Sequence, residues 1–266
     1  MILSPYVLDV KYIRDIVYIM SLSFKQNSYE YIRQRILDGS LKAGDPLSYR
    51  ELAKDVGVSA TPVREAISRL ESEGLVDQLP RVGAFVKRMS RGEIRDLYEL
   101  REALEGHAAL LAAERITADQ MCEIKNICAQ MRELLRGRKN KSDWDVAGTT
   151  KRMGQLDIKF HMLIVTAAGN LRIAKQIDDF QLMRTVIANG RSFIGKIDEQ
   201  NHVRTVYEHR RIAQSLCNRD AQSARYWMLR HISYAKKLTI ELAEESAAGG
   251  WSDTYRHAVS QMERYL

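Results

Sequence analysis

Between Tyr29 and Arg88 turn residues recur so closely that only short elements fit between them. Tyr29, Ile32, Ile36 and Leu37 fall at helical spacing, and Asp38-Gly39 closes that first helix. After a turn at Gly44-Asp45-Pro46, Ser48 and Glu51 stand three apart as a capping box and predict a helix over 49–55. Gly57 then supplies a residue free to take positive φ. Thr61 before Pro62 predicts a hydroxyl cap ahead of a first turn that does not miss the proline N–H. That third helix runs to Glu73 and stops at Gly74, and two β-prone pieces over 75–79 and 84–87 flank a hairpin tip, Pro80-Arg81-Val82-Gly83.

Helix, helix, turn, helix and hairpin within about sixty residues is the order of a winged helix-turn-helix, whose third helix lies in the DNA major groove. Val63, Ala66, Ile67 and Leu70 form one apolar stripe on that helix, and Thr61, Arg64 and Ser68 occupy its other side. One face packs and the other is free to read. From Tyr29 to Arg88 there are ten Lys/Arg against nine Asp/Glu, so placement rather than total charge must attract DNA. Arg33, Arg50, Lys54 and Arg81 are the expected phosphate contacts. Arg64 is the expected guanine reader, since its fork can engage O6 and N7 together, and Ser59 and Gly83 complete the contact set. The plainer alternative makes Arg50 and Arg64 solvated surface charges paired with nearby acids.

From Ser90 onward the strand signal vanishes. Ser90 with Glu93 and Thr117 with Gln120 are further capping boxes, Gly169 breaks one helix, and Asp220 starts a long one reaching about Ser246. Six or seven helices are expected, with Arg136 to Lys141 as a basic loop. The predicted fold is therefore mainly α, a winged helix-turn-helix over 27–89 followed by an all-α antiparallel bundle over 90–246. Residues 1–26 form an extension, within which Met20 is a second candidate translation start, and 247–266 form a tail or terminal helix. Cys122, Cys128 and Cys217 make neither a disulfide framework nor a thiolate zinc site. No apolar run is long enough to cross a bilayer and no export signal is read, so a cytoplasmic protein without membrane partners is expected. The net charge of +7 admits nucleic acid as a partner without proving it.

In the helical part Asp157 and His161 stand four apart and share a helix face, as two ligands of one metal require. His209 and His231 lie on later helices and could complete a set of three imidazoles and a carboxylate. Such a set suits zinc, nickel, iron or manganese and not calcium. Taken singly, each of these histidines is more often a surface or hydrogen-bonded residue. His202 precedes His209 by seven residues and stays outside the ligand set, and His107 and His257 read as structural. Trp144, Trp227 and Trp251 are expected to pack between helices.

Two resemblances bear on these residues. Ser48-Tyr49-Arg50-Glu51-Leu52-Ala53, Val56-Gly57-Val58-Ser59-Ala60-Thr61-Pro62-Val63-Arg64-Glu65-Ala66, Leu70 through Gly74-Leu75-Val76, and Arg81-Val82-Gly83-Ala84-Phe85-Val86 resemble the DNA-binding domain of GntR-family transcription regulators. The chain departs from them at Ala60, where many relatives carry an Arg that contacts bases. Asp157-Ile158-Lys159-Phe160-His161 followed by Ala168-Gly169-Asn170, with Leu97-Tyr98-Glu99-Leu100-Arg101 and Leu104-Glu105, is similar to the FCD effector domain of the FadR-like subfamily. That resemblance implies that Asp157, His161, His209 and His231 hold a metal, most often zinc, and that Arg101 faces a central cavity. It also implies a small carboxylate effector, a sugar acid or short organic acid, held by metal and guanidinium together.

The expected protein is a homodimeric transcription repressor on double-stranded DNA with a palindromic operator, controlled by that carboxylate, and not an enzyme. A metal-dependent hydrolase using the same Asp and three His is the alternative, weakened by the lack of a paired general base. An RNA-binding or scaffolding protein is a third class.

Overall fold

The computed structural model describes residues 26–136, 145–189 and 199–248, which divide into two compact units at Lys87–Arg88. The N-terminal extension, the basic run after Arg136, Trp144, Trp251, His257 and the C-terminal tail lie outside the described residues.

In the first unit α1 (26–37) buries Tyr29, Ile32 and Ile36. It is followed by β1 (Pro46–Leu47), α2 (Tyr49–Val56), α3 (Ala60–Ser72), β2 (Val76–Leu79) and β3 (Gly83–Val86). The strands form an antiparallel sheet in the order β1-β3-β2, with Leu47 opposite Ala84 and Val76 opposite Val86. Pro46-Leu47 reads as part of a turn in the sequence, yet it pairs with Phe85 and Ala84 across the sheet. A proline without an N–H is tolerated there because β1 is an edge strand.

Ser48 caps α2 by accepting from the Glu51 N–H at 3.3 Å, and Gly57, at φ 74°, ends the helix in the left-handed region. The third helix starts one residue before Thr61: its N-cap is Ser59, and Pro62 falls within the first turn. An N–H is unpaired there in any helix, so the proline costs nothing and still fixes φ. Val63, Ile67 and Leu70 of α3 pack in the core with Leu52, Leu75, Phe85 and Val86.

The second unit is built, among the described residues, from six helices: α4 (Arg91–Arg115), α5 (Ala118–Arg136), α6 (Val146–Ala167), α7 (Leu171–Asn189), α8 (Glu199–Cys217) and α9 (Ala221–Ala248). Arg136 ends α5 rather than opening a loop. Caps set the boundaries. Ser90 and Glu93 form a reciprocal capping box, as do Thr117 and Gln120, and Asp145 and Asp220 accept from the N–H groups of Gly148 and Ser223. Helix ends are closed by arginines, with Arg115 donating to the Ala168 carbonyl and Arg219 to the carbonyls of Ala113 and Glu114.

Ile94, Ile124, Ile127, Met131, Leu156, Phe160, Ile212, Met228 and Ile232 form a continuous buried core drawn from five of these helices. Trp227 packs at its edge. Helices α4 and α9 approach closely at Gly106, where an added Cβ would lie 2.7 Å from Leu229 Cδ2. Further along that seam, on the N-terminal side of Gly106, Lys236 pairs with Glu102 at 3.0 Å and Tyr98 and Thr239 share a buried hydrogen bond of 2.8 Å. This close approach carries the polar residues of α4 into the same interior as those of α6, α8 and α9.

Candidate functional site

Four side chains that are far apart in sequence converge inside the bundle. Asp157 and His161 project from α6, one turn apart, His209 from α8 and His231 from α9. Their ligand atoms all lie within 4.8 Å of one another. Asp157 Oδ1 stands 3.6 Å from His161 Nε2, 3.2 Å from His209 Nε2 and 3.4 Å from His231 Nε2. The imidazole centroids are 4.5 Å apart for His209 and His231, 5.1 Å for His161 and His231, and 5.6 Å for His161 and His209. Phe160 lies edge-on against His209 at 4.2 Å and closes the apolar side.

The arrangement fits a divalent transition metal. His161 Nε2 and His209 Nε2 are fully buried without a hydrogen-bond partner, which is costly unless their lone pairs are taken by something else. Three imidazole nitrogens and one carboxylate oxygen match zinc, nickel, iron or manganese, whereas calcium takes oxygen ligands alone.

A second ring of carboxylates orients these ligands. Glu105 accepts from Arg101 Nε at 2.7 Å and from His161 Nδ1, and Glu208 Oε2 lies 3.3 Å from His231 Nδ1. An ionised carboxylate only accepts, so Nδ1 of each of these two imidazoles carries a proton and Nε2 is the nitrogen turned toward the centre. Burial opposes ionisation of Glu105, but Arg101 and then His161 outweigh it and hold the carboxyl well below the usual carboxylate range. Arg101 is buried too, and Glu105 beside it keeps the guanidinium charged, with Tyr98 and Asp157 adding to the effect. For His209, burial and the neighbouring His231 push the pKa down to about 4, leaving it neutral and ready to coordinate at pH 7. His231 is buried as well, yet hydrogen bonds to Asp157 and Glu208 move its pKa up.

Arg101 was expected beside the site, and it reaches the site through its own helix: it pairs with Glu105 one turn on, and Glu105 touches His161. Its Nη1 is buried with no partner. His202 is buried on α8, 3.4 Å from Thr150 Oγ1, and His107 is exposed. Neither Glu105 nor Glu208 stands out in the sequence as an outer partner. The one available signal was spacing, since Glu105 lies four residues after Arg101 and Glu208 four after Arg204, which also pairs with it.

In the first unit Ser59, Thr61, Arg64 and Ser68 are exposed on α3 or at its start, opposite the buried stripe. Arg50 and Lys54 are exposed on α2, Arg81 is exposed at the hairpin tip, and Arg33 on α1 is half-buried. Arg50, Lys54, Arg64 and Arg81 make no ion pair with the described residues, so pairing with nearby acids does not account for them. Arg64 lies 5.8 Å from the Tyr49 ring centroid. Ser68 accepts from Gln78 of β2 at 3.4 Å, which leaves its hydroxyl proton uncommitted by that bond. Gln78 also accepts from Tyr49 and donates to Glu71, so α2, α3 and the hairpin share one polar joint. Arg81 and Gly83 take positive φ, 64° and 138°, at the tip.

The chain thus carries a hairpin-bearing helix-turn-helix and, after it, a helical unit with a polar, metal-competent interior. Residues 96–234 match the FCD domain model and residues 24–86 match the model for bacterial regulatory proteins of the gntR family. The chain belongs to the GntR family and carries an FCD domain. It is 26% identical over 228 residues to the HTH-type transcriptional repressor RspR of Escherichia coli K12, covering 84% of this chain and 91% of that one. With the Nta operon transcriptional regulator of Aminobacter aminovorans it shares 28% identity over 191 residues, 72% of this chain and 82% of the relative. Among solved structures, E. coli McbR/YncC superposes with a TM-score of 0.61 at 18% identity, covering 82% and 97% of the two chains. A GntR regulator from Rhodococcus sp. RHA1 gives 0.62 at 21%, covering 82% and 98%. These structures share the fold. The family and the relatives are DNA-binding regulators, and the hydrolase alternative finds no support. No helix among the described residues is long and apolar enough to cross a membrane.

Proposed function

We propose that the chain is a homodimeric repressor in which residues 27–89 bind a palindromic operator and residues 90–246 hold a metal and sense a small carboxylate. The observation that carries this reading is the buried quartet Asp157, His161, His209 and His231, with Glu105 and Glu208 fixing two of the imidazoles. These four residues would hold the ion, whose charge would draw an anionic oxygen pair. Arg101 supplies the second attraction: its guanidinium is buried, charged and has Nη1 uncommitted. The name of the E. coli relative supports repression as the sign of control.

To regulate, the effector must bind one state of the protein better than another. A tenfold change in operator affinity needs about 1.4 kcal/mol of coupling, within the reach of a few contacts. The test is elemental analysis of the purified chain, a thermal-shift screen of organic acids, and the double substitution His161→Ala with His231→Ala. That variant is expected to lose bound metal and effector response and to keep operator binding. Unchanged metal stoichiometry would show that the ligand set is wrong.

On the DNA side, Arg64→Ala is expected to weaken specific operator binding by about 1–3 kcal/mol and leave metal content unchanged. Gel-shift titrations against operator and scrambled duplexes measure it, and an unaltered sequence preference would remove Arg64 from the reading face.

A further inference from the structure

Several cations of the helical unit are neutralised in place: Arg95 by Asp96, Arg101 by Glu105, Arg204 and Arg230 by Glu208, Lys236 by Glu102 and Lys237 by Glu241. Lys125 and Arg132 on α5 and Arg210 on α8 are different. They make no ion pair with the described residues, and all three line one groove of about 290 Å³ between the two helices. The floor of that groove is small and weakly polar, formed by Cys128, Ala129, Ala213 and Cys217, with Gln214 at its side. No carboxylate lines it.

We propose that this groove is a second ligand site, separate from the metal centre, that takes a small phosphate-bearing molecule. Three uncompensated cations around one space create a positive field that an anion relieves. A phosphate monoester carries close to two negative charges and three acceptor oxygens, enough to meet three separate cations, whereas a monocarboxylate offers one charge and two oxygens. The volume is at the lower end for small-molecule sites, and the thiol and methyl floor accepts a flat apolar body without leaving a polar group unpaired. Arg210 follows His209 directly in α8, so one helix carries a ligand of the interior quartet and a cation of this outer groove. A second signal could therefore enter through the helix that serves the first.

Phenyl phosphate and inorganic phosphate are the probes, titrated calorimetrically into the full-length, metal-loaded chain at low ionic strength. Saturable binding of phenyl phosphate is expected, weakened about tenfold or more by Arg132→Gln with Arg210→Gln. Both arginines are exposed, so the fold should survive, and unchanged metal content and thermal midpoint verify it. The cysteines give an independent readout. Phenyl phosphate should slow alkylation of exposed Cys217, which lines the groove, and leave exposed Cys122, which does not, unaffected. Inorganic phosphate binding as well as the ester supports a free anion as occupant, and weaker binding supports an ester. Absence of binding, equal affinity in the double variant, an unprotected Cys217, or loss of binding in the His161→Ala/His231→Ala variant would overturn the proposal.

Discussion

Glu105→Ala is expected to destabilise the helical unit by about 3–5 kcal/mol, because it strands the charge of a fully buried arginine. Arg101 is 2% exposed and cannot shed its proton, and Glu105 is the carboxylate that compensates it. The same carboxylate fixes the tautomer of His161, so the effect has a second component. Glu105→Gln also strands the charge but keeps an oxygen for Arg101, so it recovers the hydrogen-bond part of the loss alone. The glutamine variant should remain closer to wild type in stability and still bind metal about 10–100-fold more weakly, the usual consequence of losing an outer partner. Denaturant titration measures the first quantity and competition with a chelating dye the second. A glutamine variant with undiminished metal affinity would mean that Glu105 serves only Arg101.

Phe160→Ala is the second large effect, expected at about 3–5 kcal/mol. The ring is fully buried, sits in the main core cluster, and meets His209 edge-on at 4.2 Å. Removing it leaves a cavity beside the imidazole and also frees that imidazole to turn. Loss of stability should therefore come with weaker metal retention, whereas Ile124→Ala, also fully buried in the same cluster but on α5, should cost stability without the same effect on metal. Thermal denaturation with and without added zinc distinguishes them. Equal metal affinity in both variants would show that Phe160 packs without positioning His209.

What could be read from the sequence was mostly local. The capping pairs Ser90/Glu93 and Thr117/Gln120 formed reciprocally because each needs only its own first turn. Asp157 and His161 can be paired by helical spacing alone, whereas His209 and His231 enter the set by residue type and resemblance, and only the packing of three helices puts all four at one point. Pro46-Leu47 could not be seen as a strand, since nothing in two residues encodes partners as distant in sequence as Phe85 and Ala84. The start of α3 was misplaced because a serine and a threonine two residues apart are equivalent as caps by type, and the backbone chose Ser59. Glu105 and Glu208 gained their roles from tertiary packing, which brings each carboxylate to an imidazole on another helix. The unpaired cations of the α5/α8 groove are invisible for the same reason: their meeting depends on two helices lying side by side.

The smallest element has a wide reach. Strand β3 is held on one flank by the residues just before α2 and on the other by β2, and Gln78 on β2 is bonded to both α2 and α3. The hairpin therefore cannot swing like a hinged flap while the reading helix stays put; tip and helix travel as one tool. On the proposed function, a chemical message would have to act by where that tool is pointed, because it would have little scope to bend it.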